Sequence, residues 1–125
     1  MGLSMPTAKL QKFDASLLPQ TSRVAPQKLI AGNPLQSLWN QYSDPTSRFF
    51  SGVWQSEPGK WHIHYTEEEF CQILGGVSVV TDAEGVSTTL RPGDNFVIPR
   101  GFQGTWEVLE TTRKIYVVYE SGQPL

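Results

Sequence analysis

Between residues 48 and 120 the chain is written in short β-prone runs, each closed by a turn signal, and no stretch keeps a helical period. The runs cover residues 48–56, 60–65, 69–74, 77–81, 86–90, 95–99, 105–109 and 113–120. Between them stand Pro58-Gly59, Gly75-Gly76, Asp82-Ala83-Glu84-Gly85, Pro92-Gly93 and Arg100-Gly101. β-Branched and aromatic side chains suit a pleated, half-buried surface, whereas Gly and Pro interrupt a hydrogen-bonded ladder. Short runs at this regular spacing predict an all-β antiparallel sandwich or barrel.

Residues 1–47 read differently. Pro6, Pro19, Pro26, Pro34 and Pro45 punctuate a stretch rich in Ser, Gln, Thr and Asn. It is expected to be an N-terminal arm, partly irregular, with one short strand at 28–31 and one helical turn at 35–39. A long arm of this composition needs something to lie against, either its own barrel or a neighbouring subunit, so a homodimer interface is expected there. The 125 residues suit one domain. The division is therefore an arm over 1–47 and a β-barrel over 48–125.

The net charge of −2, with Lys and Arg scattered, leaves no basic footprint for nucleic acid or an anionic membrane. Cys71 is the sole cysteine, so no intrachain disulfide can form, which fits a reducing compartment. No apolar run approaches a membrane span, and the N-terminus lacks a secretory pattern. The expected location is cytoplasmic. Met5 offers a second start, and Pro6 stands where a myristoylation motif requires Ser or Thr.

His62 and His64 are two apart, so on a strand they project together, with Ile63 on the other face. Glu69 lies five residues past His64, an odd separation that puts it on the opposite face of an unbroken strand. A turn or bulge through residues 65–68 is expected to return it to the same centre. Two imidazoles and a carboxylate form a ligand set used for Fe, Mn, Ni and Zn. Further on, Pro92-Gly93-Asp94 forms a turn, and Pro99 and Gly101 close the strand that follows.

On these residues the chain resembles the cupins. His62, His64, Glu69 and Gly76 fit the spacing of the first cupin motif, whose leading Gly is replaced by Ser56. Gly93, Pro99 and Gly101 fit the second, whose His and Asn fall at Gly104 and Val108. The region from Gly52 to Tyr119 is similar to the group containing the ureidoglycine aminohydrolase cupin domain and the ethanolamine-utilisation cupins. Its markers include Val53-Trp54, Glu57-Pro58-Gly59, Glu69-Phe70-Cys71, Thr105-Trp106-Glu107 and Arg113-Lys114. The resemblance implies a single RmlC-like jelly-roll barrel, often dimeric, with a pocket inside one end. It fixes fold more than activity, because one barrel hosts many functions.

The candidate site follows. His62, His64 and Glu69 would hold a divalent metal, and Gly104, at the expected fourth position, would leave room for water or substrate. Without a metal, Glu69 becomes a candidate general base. Trp106 shares the face of Gly104 and is a candidate for the pocket wall, as is Tyr116. In the last strand, Lys114, Tyr116 and Val118 share one face and Ile115, Val117 and Tyr119 the other, and the inward set is left open. Cys71, in an apolar strand, is read as inert core. Two functions stay in view: a metal-dependent enzyme acting on a small polar or nitrogenous metabolite, and a non-catalytic ligand-binding or regulatory cupin with a degenerate metal site. A third has the chain acting as a structural partner through its arm.

Overall fold

Nine strands and no helix make up the computed structural model, which describes residues 7–124. The N-terminal readings at Met5 and Pro6 lie outside the described residues. The strands are β1 (Gln20–Arg23), β2 (Leu29–Gly32), β3 (Leu35–Ser43), β4 (Phe49–Ser56), β5 (Gly59–His64), β6 (Glu68–Asp82), β7 (Ser87–Leu90), β8 (Asn95–Ile98) and β9 (Gln103–Tyr119). All pairings are antiparallel, and one sheet curls upon itself in a jelly roll.

Strand β9 is the spine. Its first half pairs with β5, its second half with β4, and β6 follows it along both halves. At 17 and 15 residues, β9 and β6 far exceed an ordinary strand and must bend to stay in a curled sheet. The bend corrects two sequence expectations. Gly75-Gly76, expected as a turn, is an irregularity inside β6, with register shifts between Ile73 and Ser78. The runs at 105–109 and 113–120 are one strand. Gly76 adopts φ +82° and its α-carbon abuts β9, where a Cβ would stand 2.0 Å from the Thr111 carbonyl oxygen. Only glycine fits that crossing.

The arm also departs from expectation. Residues 35–39, expected as a helical turn, belong to the nine-residue β3, which pairs with β4 from Gln36–Ser56 to Ser43–Phe50. The available edge of β4 satisfies the β3 backbone, and tertiary pairing overrides a weak local helical pattern. β1 in turn pairs with β3, and β2 with β5. Residues 20–43 thus supply three strands to the same sheet as the barrel, and 7–19 form the longest stretch before them without a strand.

The main apolar cluster contains Trp61, Ile73, Val80, Leu90, Ile98, Trp106 and Val108. A directed polar chain crosses its edge. Thr112 donates to the Glu110 carbonyl (2.9 Å), so it accepts from Ser78 (2.6 Å), and Ser78 accepts from the Trp106 indole N–H (3.1 Å). Each buried hydroxyl is thereby satisfied, and the Trp106 ring is fixed in place.

Candidate functional site

The alternation of β5 decides what faces inward. Trp61, Ile63, Tyr65, Glu67 and Glu69, every second residue, all line one cavity of about 500 Å³. Phase is carried unbroken through the bend between β5 and β6. β3 and β4 add Gln36, Leu38, Asn40, Phe50 and Trp54, and β9 adds Trp106, Lys114, Tyr116 and Val118. The open question about the last strand is thereby answered: Lys114, Tyr116 and Val118 point in.

The same alternation corrects the expected metal centre. His62 and His64 are exposed and line a separate hollow with Lys28, Gln103 and Thr105 on the outer face. Glu69 is buried inside, 6% exposed. The expected bulge at residues 65–68 does not reverse the phase, so the odd spacing keeps the carboxylate on the far side of the sheet from the imidazoles. Gly104 is no open coordination position either. A Cβ there would lie 1.9 Å from the Thr81 carbonyl oxygen, so backbone fills the space. Among the described residues no three His, Cys, Asp or Glu side chains are grouped to hold a metal ion. The donor set at this cavity does not fit one.

Glu69 has another partner. Its Oε2 lies 3.3 Å from Lys114 Nζ, with the two side chains 8% and 5% exposed. The Lys114 ammonium also stands 4.4 Å from the Trp106 ring centroid and 4.8 Å from that of Trp54. Those rings meet edge to face at 5.6 Å. The cation is therefore enclosed by a carboxylate and two negative π faces. Burial works against its charge, but the Glu69 carboxylate and the Cys71 sulfur together outweigh it, and the net pKa lies above the usual lysine value. Lys114 is a fixed cation and no nucleophilic amine.

Around the pair, ionisation of neighbours is suppressed. Burial, then the Glu69 charge, raises Tyr65 well above the ordinary phenol value and Tyr116 to about 12. Burial pushes the Cys71 thiol up to about 12, in keeping with its reading as inert. Tyr116 donates to Asn40 Oδ1 at 2.6 Å, tying β9 to β3 across the cavity. Trp106 and Tyr116, expected at the pocket wall, both line it. Glu69, the candidate base, is inside, with one oxygen held by Lys114.

The parity shared by Trp106, Lys114 and Tyr116 is the signal in the chain for the inward face of Lys114. Nothing local marks Asn40 and Gln36, which fall in a segment with the composition of an arm.

A jelly roll with a residue-lined cavity inside its curled sheet is the architecture of a cupin. The model of the EutQ-like cupin domain matches residues 43–116, and the chain belongs to that family. Among solved structures, a protein of unknown function from Pseudomonas syringae pv. tomato is 26% identical with a TM-score of 0.76. That match covers 85% of this chain and 46% of the other, so the chain spans about half the length of that relative. A Thermotoga maritima protein is 34% identical over 51% of this chain and 73% of its own, with a TM-score of 0.50. The EutQ protein of Clostridium difficile shares the fold at 18% identity and a TM-score of 0.63, covering 77% of this chain and 78% of its own. No curated protein matches the chain.

Proposed function

We propose that this cupin binds a small metabolite inside the curled sheet, against the Glu69–Lys114 pair. The observation that carries the reading is a buried ion pair in the wall of a cavity rich in aromatic rings. Packed hydrophobic residues of the same volume would serve stability as well or better, because desolvating two charges is costly. A pair retained at the wall of a cavity of ligand size is best accounted for by a ligand that uses it. The apolar walls would bury the body of the ligand, and the amides of Gln20 and Gln36 offer further polar contacts.

The test is a screen of small polar and nitrogenous metabolites by thermal shift and calorimetry, on the natural sequence and on Leu38→Trp, which fills the cavity from β3. A ligand at one hundred times its Kd stabilises by about 2.7 kcal/mol, a shift of several degrees for a chain of this size. Binding should be lost in Leu38→Trp. Ligands that bind both proteins equally would place recognition elsewhere.

A further inference from the structure

Taking that cavity as the binding site, we infer that its ligand is an organic cation, an amine carried on an apolar or aromatic body. The charges facing the cavity are two carboxylates, Glu67 and Glu69, and one ammonium, Lys114. The ammonium is already committed. It stands 3.3 Å from Glu69 Oε2 and lies between the Trp54 and Trp106 rings. An anion entering the cavity would compete with Glu69 for Lys114 and, on drawing the ammonium away, would leave that buried carboxylate without compensation.

An incoming cation meets the opposite situation. Glu67 is half-buried and accepts from Thr66 Oγ1 at 3.1 Å, and no cation pairs with it among the described residues. Glu69 has a second oxygen. Trp61, Tyr65 and Phe50 line the same space and add ring surface, which attracts cations through the negative π face. Burial is the larger cause of the raised Tyr65 and Tyr116 phenols, and the second cause, the Glu69 charge, agrees with a negative field in this space. An adjoining groove, which holds His62 and His64 and shares Tyr65 and Glu67 with the cavity, is lined by Arg23 and Lys28. Both are exposed, and Arg23 donates to the Asn33 carbonyl, so their charges act through water and are screened. The volume exceeds what an amine of a few carbons fills, which is why the ligand needs a body.

The experiment compares phenethylamine with 3-phenylpropionate, which share a skeleton and differ in charge. Binding is read by calorimetry and by emission of the tryptophans, three of which, Trp54, Trp61 and Trp106, line the cavity. Phenethylamine should bind and 3-phenylpropionate should not. Glu67→Gln, an isosteric change at a half-buried position, should weaken the amine about tenfold, the loss of one charge-assisted contact. Glu69→Gln should weaken it too, and the pair-neutral Glu69→Gln/Lys114→Met serves as the second variant should the first not fold. If the carboxylate binds and the amine does not, or if Glu67→Gln leaves amine affinity unchanged, the cation inference is overturned while the cavity reading stands. If neither compound nor any metabolite of the wider screen perturbs the tryptophans, both are overturned.

Discussion

Lys114→Met separates the two roles of the buried pair most sharply. The substitution removes the ammonium 3.3 Å from Glu69 Oε2 and both of its ring contacts, and keeps most of the stem volume. Glu69, 8% exposed at the side chain, is left without a counter-charge. Removing one partner of a buried pair costs roughly 3–5 kcal/mol, because the survivor pays its desolvation unaided. For a domain of this size that is a fall in Tm of about 10–20 °C. The double variant Glu69→Leu/Lys114→Met removes both charges and should return to within about 1 kcal/mol of the natural sequence, or exceed it. Urea unfolding of the natural sequence, Lys114→Met, Glu69→Leu and the double variant, followed by tryptophan emission with unchanged m-values, gives the four free energies of the cycle. The cycle should yield a coupling of at least 2 kcal/mol. A cost below about 1 kcal/mol for Lys114→Met, or additivity of the single changes, would refute the view that the pair is a desolvated unit.

Three other outcomes are expected. Gly104→His, which restores the histidine of the second cupin motif, should destabilise by more than the usual 1–3 kcal/mol of overpacking, since its Cβ meets the Thr81 carbonyl oxygen; thermal unfolding checks this. Stability should fall in alkali. Cys71, Tyr65, Tyr116 and Lys114 all hold their protons more tightly folded than unfolded. Their contribution is complete below the unfolded values, of which 9.0 for Cys71 is the lowest, and is lost as pH rises through the raised folded values, about 12 for Cys71 and Tyr116. Urea midpoints that stay flat from pH 8 to 11 would contradict it. We propose that the arm mediates self-association, because Leu10 and Leu18 are 97% and 85% exposed in their own chain; sedimentation equilibrium should then find a dimer that deletion of residues 7–19 converts to monomer, and a monomer before deletion would refute it.

The strand content, the punctuation by Gly and Pro and the family markers were all legible before any coordinates, because β-propensity and turn chemistry are local. So was the alternation along residues 61–69, which turns His62 and His64 away from Glu69 as long as the phase holds. What could not be read was whether the bend between β5 and β6 would shift that phase by one residue. That depends on the pairing of both strands with β9. The same holds for Lys114. Its parity with Trp106 is written in the chain, but only an unbroken β9 makes parity meaningful, and the β9 path past Gly76 is set by contact between distant backbones. Residues 35–43 became a strand because β4 offered an edge. Glu69 and Lys114, 45 positions apart, became partners because β6 and β9 lie side by side. Local chemistry wrote the strands and their two faces; the pairing of distant segments chose which face would enclose a cavity and which charges would meet inside it.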